Sequence, residues 1–363
     1  MALDRITLSS FRNHRASRID GTAQFNLLVG ENGAGKTNVL EALSLFAPGR
    51  GLRRATLVDM AHSGTNGFAI SAELLTGEGL EPVRLGTGTT GADTSRSLRR
   101  IVQVNGADTS AIHLGEWLAI AWLTPAMDRL FADSAGARRR YMDRLALALD
   151  PVHARRATRY ENALGERNRL LSAQQDPDPR WLDAIEAQLA EAGAALAMGR
   201  AGLVERLGSE LAALPAEPFA RPALRYVPGG PLEPAALADA LSAGRRRDRA
   251  AQRTLTGPHR DELEVVMAGK GQPAALCSTG EQKAMLIAIT LAHAALAAGE
   301  RPGVLLLDEV AAHLDPLRRG ALFERLRDGA AQIWLTGTER APFAEIEGEA
   351  STWEVAAGQA TRL

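Results

Sequence analysis

Hydrophobic and polar positions change rhythm along the 363-residue chain. Up to about residue 125, short apolar and β-branched runs alternate with glycine-rich turns. That pattern predicts strands at Arg5–Leu8, Phe25–Val29, Phe68–Leu74, Arg99–Val104 and Leu118–Leu123. The strand ending at Val104 runs into Asn105-Gly106, a hairpin signal because both residues tolerate positive φ. From Asp128 to about Arg249 the spacing becomes helical. Trp181, Ile185, Leu189, Ala192, Leu196, Leu203, Leu207 and Leu211 recur mostly every three or four residues, which predicts one long amphipathic helix. Asp178 as N-cap and Pro179 in the first turn mark its start, while Gly193, Gly199, Gly202 and Gly208 each weaken it. An earlier helix carrying Tyr160, Leu164 and Leu171 is joined to it across Gln174–Pro179, so an antiparallel helical hairpin is expected. Beyond Thr254, strand signals return at Leu263–Met267, Val304–Leu307 and Ile333–Thr336, with an apolar helix over Ala284–Ala298. The chain therefore reads as an α/β domain built from both ends, residues 1–127 and 250–363, interrupted by a mainly helical lobe at 128–249.

One turn in this pattern carries chemistry. Gly30-Glu31-Asn32-Gly33-Ala34-Gly35-Lys36-Thr37 satisfies the P-loop pattern, follows the apolar strand Phe25–Val29 and opens a helical stretch, 38–46. Glycines let backbone N–H groups approach phosphate oxygens, and the helix N-terminus adds positive potential. Lys36 can reach the β- and γ-phosphates of ATP, and the Thr37 hydroxyl can coordinate Mg²⁺. Composition sharpens this reading, because 39 of the 42 basic residues are arginine and lysine occurs only at 36, 270 and 283. A lysine in such a chain marks a place where a compact ammonium fits and a planar guanidinium does not.

Composition otherwise mainly excludes. The chain is 45% hydrophobic and 23% charged, ordinary for a globular protein. No run approaches the ~20 apolar residues of a membrane span, and the N-terminus lacks a basic-then-apolar leader, so a cytoplasmic protein without a membrane partner is expected. The single cysteine, Cys277, excludes an intramolecular disulfide and a multi-cysteine metal site and is read as a small buried residue. A net charge of −1 gives no global signal for nucleic acid, so any such contact must come from a local patch.

The C-terminal third supplies a second set of groups. Ser278-Thr279-Gly280-Glu281-Gln282-Lys283 opens the helix over Ala284–Ala298, where a serine hydroxyl, a glycine N–H and a helix N-terminus can cradle an anion. Ser278 to Glu281 also fits an ordinary capping box. Val304-Leu305-Leu306-Leu307-Asp308-Glu309 reads as a buried parallel strand delivering two carboxylates to its C-terminal edge. Asp308 would hold Mg²⁺ through water, and Glu309 would polarise the attacking water. His313-Leu314-Asp315 follows. The order P-loop, serine-glycine signature, acid-tipped strand and Leu-Asp resembles the ATP-binding-cassette superfamily and its chromosome-maintenance branch. The resemblance implies a cassette P-loop ATPase fold in which Ser278 and Gly280 of one copy close on ATP held by Lys36 of another. ATP would then join a homodimer and hydrolysis release it, with Asp315 in the dimer-contacting loop.

Within that branch the chain resembles the RecF family over nearly its whole length. The matching residues are Phe11-Arg12-Asn13, Asn38 to Ala42, Thr124-Pro125, Arg138 to Asp143, and Gly257-Pro258-His259-Arg260-Asp261-Glu262. Roles for Arg12, Asn13 and Gln282 in contacting nucleotide come with the resemblance. It also implies slow ATP hydrolysis used as a switch, binding of the ATP dimer to single- or double-stranded DNA at gaps or junctions, and cooperation with RecR and RecO to load RecA. Three positions depart from the family pattern: Ala126, Asp133 and Ala135. Thr336-Gly337-Thr338 stands where many cassette ATPases place a histidine, which leaves the γ-phosphate sensor unassigned. Candidate DNA contacts are Arg53 and Arg54, Arg138 to Arg140, and Arg245 to Arg247 with Arg249, although Arg138 to Arg140 could instead anchor a helix through ion pairs. A transporter ATPase subunit or another DNA-maintenance ATPase would share the P-loop but not the helical insertion with the 257–262 motif. A small-molecule kinase would tolerate loss of Ser278. A DNA-binding protein with a degenerate nucleotide site is disfavoured by the intact Lys36, Thr37, Asp308 and Glu309.

Overall fold

A computed structural model describes residues 3–76, 81–89, 98–215, 217–297, 301–311 and 314–363. Ala298 and His313, named above, lie outside the described residues. The chain forms two compact units: Met1–Asp128 with Ala216–Phe219 and Leu286–Leu363, and Arg129–Pro215 with Ala220–Met285.

The N-terminal segment of the first unit runs β1 (Leu3–Phe11), β2 (His14–Ile19), β3 (Phe25–Val29), α1 (Lys36–Ser44), α2 (Leu57–Met60), β4 (Ala69–Leu74), β5 (Val83–Thr89), β6 (Arg100–Val104), β7 (Ala107–Thr109), α3 (Ala111–Trp117) and β8 (Ala119–Leu123). An antiparallel sheet orders these strands β2-β1-β4-β5-β6-β7. One face is solvated and the other feeds Leu3, Ile6, Leu8, Ile70, Leu74 and Leu85 into the core, the alternation of a half-buried sheet. Asn105 (φ 51°) and Gly106 (φ 82°) join β6 to β7 as the expected tight hairpin.

The second unit contains α4 (Ala135–Leu149), α5 (Val152–Leu171), α6 (Pro179–Ala213), β9 (Pro222–Val227), α7 (Pro234–Ala250), β10 (Glu262–Met267) and β11 (Gln272–Pro273), and α8 (Thr279–Ala297) begins in it. The long helix is continuous despite its glycines, with Asp178 accepting from the Arg180 N–H and Pro179 in the first turn. Gly193 has a packing reason: a Cβ there would lie 3.0 Å from the Tyr160 ring and 3.1 Å from Leu237. Ladder partners between α5 and α6 step in opposite directions, Arg159 to Glu191 and Arg167 to Glu186, so the hairpin is antiparallel as expected. Trp181 departs from the expected apolar stripe. It is 52% exposed, and the stripe begins one residue later at Leu182, in a cluster with Leu170 and Leu171. The lobe is not wholly helical either, because β9 lies within it. β9 pairs antiparallel with β10 from Glu262↔Val227 to Met267↔Pro222, and this ladder holds residues beyond 250 in the second unit. The return to the first unit comes at Leu286, where the sequence pattern placed it at residue 250.

β12 (Gly303–Leu307), α9 (Pro316–Arg327), β13 (Gln332–Gly337), β14 (Ala350–Ala356) and β15 (Gln359–Arg362) complete the first unit. Its second sheet has the order β15-β14-β3-β13-β12-β8, parallel except where β15 closes the edge. Every residue of β3, β12 and β13 is buried, which explains their mainly apolar sequences, with Asn26, Gln332 and Thr336 as the polar exceptions. Stacked Trp334 and Trp353, with ring centroids 5.8 Å apart, fill the core beside β13 and β14. The chemically loaded turns lie beyond the C-terminal ends of β3, β12 and β13, the usual place for a ligand on a parallel sheet. Among the described residues, no helix is long and apolar enough to cross a membrane.

Candidate nucleotide site

The turn after β3 has the backbone that its glycines foretell. Gly30, Gly33 and Gly35 take φ values of 155°, 82° and 118°. A Cβ on Gly30 would lie 2.1 Å from the Val355 carbonyl oxygen, and one on Gly35 would lie 2.6 to 2.7 Å from the Asn13 amide and His14 Nε2, so both positions exclude larger residues. Gly35 is the N-cap of α1 and offers no side-chain cap, which leaves the first-turn N–H groups for an anion. Lys36 is 4% exposed, and its ammonium donates to the carbonyls of Gly30 (2.6 Å) and Glu31 (2.8 Å). Burial lowers its pKa from the ordinary lysine value, opposed by the nearby charges of Glu309 and Asp308. Glu31, Asn32 and Gly33 are exposed at the crest of the loop and Ala34 is half-buried.

The loop is braced from behind. Asn13 donates to the Ala34 carbonyl (2.8 Å) and accepts from Asn38 (2.7 Å), and His14 Nε2 lies 3.0 Å from the Gly35 carbonyl. Arg12, at φ 54°, makes a two-pronged pair with the fully buried Glu41 at 2.8 and 2.7 Å, and Arg53 joins the same carboxylate. Glu41 was not singled out by the sequence reading; a buried acid facing two arginines on α1 signals its role only once the fold is known.

The acid pair meets the loop across 271 residues. Thr37 donates its hydroxyl to Asp308, 2.9 and 3.2 Å from the two carboxylate oxygens, and Thr336 donates to the same carboxylate at 2.8 Å. Burial is the largest influence on Asp308 and raises its pKa above the ordinary carboxylate value, with Glu309 adding to the rise. Glu309 is half-buried at φ 53°, and its N–H donates to Thr336 Oγ1 at 2.9 Å. Two adjacent acids, one carrying two hydroxyl donors, form the kind of donor set that takes Mg²⁺ with one or two protein oxygens and the remainder from phosphate and water. Beside the loop, a cleft of about 780 Å³ is lined by Gly30 to Ala34, Thr338, Arg340 and Glu354 to Ala357.

The other expected site residues are placed elsewhere. Asp315 is exposed and caps α9, accepting from the Arg318 N–H at 2.9 Å. Ser278, Thr279 and Gly280 are exposed at the start of α8 in the second unit. The capping box there is complete: Glu281 accepts from the Ser278 N–H (2.9 Å), and Ser278 Oγ accepts from the Glu281 N–H (3.3 Å). Lys270 and the Ser278 N–H hold Glu281 down at about 2. Gln282 is buried and donates to the Cys277 carbonyl at 2.9 Å, so its amide is occupied within its own unit. Cys277 is buried as expected.

The family-specific residues 257–262 tie the second unit together. Buried Asp261 accepts from Arg200 (2.8 Å), the Tyr226 hydroxyl (2.6 Å) and the Gly229 N–H (2.8 Å), while Arg200 also pairs with Asp143. Arg138 grips Glu262 at 2.6 and 2.8 Å, and Arg139 donates to the Asp261 carbonyl. Arg245 is paired with Glu186 and Asp183, Arg247 donates to Thr256, and Arg249 pairs with Asp176. Among the described residues, Arg54, Arg140 and Arg246 are exposed and have no hydrogen bond or ion pair in their own chain.

A profile of the RecF/RecN/SMC N terminal domain matches residues 2–356. The chain is 47% identical to the DNA replication and repair protein RecF of Mesorhizobium japonicum, over 96% of this chain and 94% of that one. It is 45% identical to the protein of the same name from Rhizobium rhizogenes, over 99% and 98%. Among solved structures it resembles the recombination mediator protein RecF-ATPrS in the RecFOR pathway, with a TM-score of 0.86 at 21% identity, over 100% of this chain and 98% of that one. It also resembles an Smc head domain from Pyrococcus furiosus, with a TM-score of 0.55 at 15% identity, over 99% and 95%. These two likenesses concern the fold.

Proposed function

The chain belongs to the RecF family of DNA replication and repair proteins, and from that membership we propose that it is an ATP-dependent DNA-binding protein that works as a nucleotide-switched dimer. The observation that carries this reading is the meeting of Thr37 with Asp308 beside Lys36, which assembles a phosphate cradle and a cation-type donor set on one sheet edge. The backbone of residues 30–37 receives the triphosphate, and Lys36 turns from the loop carbonyls to the β- and γ-phosphates. Mg²⁺ held by Thr37 Oγ1 and Asp308 would neutralise charge on those phosphates. Glu309 orients the attacking water.

In this proposal the nucleotide site is completed by a second copy. Ser278 and Gly280 stand exposed at a helix N-terminus, and the Ser278 hydroxyl can leave its capping contact to donate to a γ-phosphate, as an anion at a helix N-terminus favours. Asp315 would lie at the same junction between copies. Slow hydrolysis then releases the dimer, so ATP acts as a switch by binding the joined state more tightly than the separate one. DNA is the proposed partner of the dimer, with RecR and RecO acting alongside to load RecA. The test is binding to a gapped duplex at fixed salt, with and without ATP, for the native chain and Lys36→Ala. We expect ATP to tighten binding for the native chain alone; equal affinity with and without ATP would refute the reading.

A further inference from the structure

Thr336 occupies a position that the P-loop and the acid strand together define. β13 lies between β3 and β12 in the parallel sheet, with Leu335 opposite Leu307 and Thr336 opposite Leu28. The residue at its C-terminal end therefore falls between the strand that carries the phosphate loop and the strand that carries the acids. A threonine hydroxyl has one hydrogen to donate and lone pairs to accept. Thr336 uses both at once, donating to Asp308 Oδ1 (2.8 Å) and accepting from the Glu309 N–H (2.9 Å). The side chain is fully buried, so water cannot substitute for it.

From this geometry we infer that Thr336 is the positioning residue for the acid pair. The inference rests on the ATPase reading proposed above. Asp308 carries two hydroxyl donors of different standing. Thr37 sits in the phosphate loop, where a bound cation would take over its hydroxyl. Thr336 sits in a strand paired on both sides, so its bond to Asp308 does not depend on the phosphate loop. Its second bond holds the backbone of Glu309 in the left-handed region that side chains other than glycine seldom adopt. One hydroxyl thus fixes the carboxylate that faces the cation and the origin of the side chain that faces the water. Both contacts of the Thr336 hydroxyl go to the tip of β12, so Thr336 itself is not aimed at phosphate.

The test compares Thr336→Val, Thr336→Cys and Thr336→Ser with the native chain, measuring binding of a fluorescent ATP analogue, kcat, KM and melting temperature. Valine keeps the shape and loses the hydroxyl, cysteine weakens the donor, and serine keeps it. We expect analogue affinity and KM to stay within about twofold while kcat falls about tenfold to a hundredfold for valine, by less for cysteine, and recovers in serine, the range seen when a partner that orients a ligand is removed. If the valine chain does not fold, the ordering of serine above cysteine decides the matter. Native kcat in Thr336→Val, or a serine variant as slow as the cysteine one, would overturn the inference while leaving the ATPase reading intact. Failure of the native chain to bind the analogue would overturn that reading and the inference with it.

Discussion

Thr37 and Asp308, 271 positions apart, share a hydrogen bond of 2.9 Å that joins the phosphate loop to the tip of β12. The bond places a hydroxyl and a carboxylate where a cation would find both. Replacing Thr37 by valine keeps the volume and removes the oxygen. We expect ATP binding without Mg²⁺ to be nearly unchanged, and the tightening produced by Mg²⁺ to fall about tenfold or more, as for loss of one metal-orienting group. Titration of a fluorescent ATP analogue with and without Mg²⁺ reads this directly, and an undiminished Mg²⁺ effect would contradict the placement.

Gly35 and Gly33 separate two kinds of glycine requirement in one loop. Both have positive φ, but a Cβ on Gly35 would collide with Asn13 and His14, whereas one on Gly33 meets nothing within 4 Å. Gly33→Ala should cost only the left-handed strain of about 1 to 2 kcal/mol. Gly35→Ala should add displacement of the bracing residues, abolish ATP binding and lower the melting temperature further. Equal losses for the two variants would show that the bracing does not shape the loop.

His14 gives the loop a pH dependence. Burial holds its pKa below the ordinary histidine value, against the raising effect of its contacts with the Gly35 and Gly358 carbonyls. The unfolded chain therefore binds a proton at higher pH than the folded one, so the stability contributed by neutral His14 is present above about 6.5 and lost as pH falls below it. Between pH 7.5 and pH 5.5 the native melting temperature should drop more than that of His14→Gln. Parallel curves would exclude His14 as the source.

The arginine clusters divide by what they already hold. Arg200 is 4% exposed and spans Asp143 and Asp261, so Arg200→Ala leaves two carboxylates without their partner and should cost about 3 to 5 kcal/mol in a denaturant titration. Arg138→Ala should also act chiefly on stability, because its guanidinium grips Glu262. Arg140 and Arg246 have no such partner, and replacing either by glutamate should leave stability within about 0.5 kcal/mol. DNA affinity should then fall for all sequences alike, with a salt slope shallower by about 1. A change in stability without a change in salt slope would remove them as phosphate contacts.

Much of the first unit was legible because its central strands are buried on both faces. Val304–Leu307 runs without polar interruption and Phe25–Val29 with Asn26 alone, and each ends in chemistry that an apolar strand does not otherwise carry. Half-solvated strands hid better: β2 reads His-Arg-Ala-Ser-Arg-Ile and β5 carries two glycines, so neither resembles a strand until a neighbour pairs with it. The second unit misled for a related reason. Residues 257–262 precede the signature in sequence and read as part of the ATPase domain, but the β9–β10 ladder and Asp261 with Arg200 hold them among the helices. Thr336 was visible only as a missing histidine. Its role depends on strand order, which places β13 between β3 and β12 and has no local signature.

In the proposed switch, ATP joins two copies of this chain through a site that neither completes alone. Light scattering gives the solution mass directly, with ATP and Mg²⁺, for the native chain and for Glu309→Gln, in the presence and absence of gapped DNA. We expect a monomer without nucleotide, a dimer with ATP that persists longer in Glu309→Gln, and a tighter dimer on DNA. A monomeric mass under every condition would contradict it.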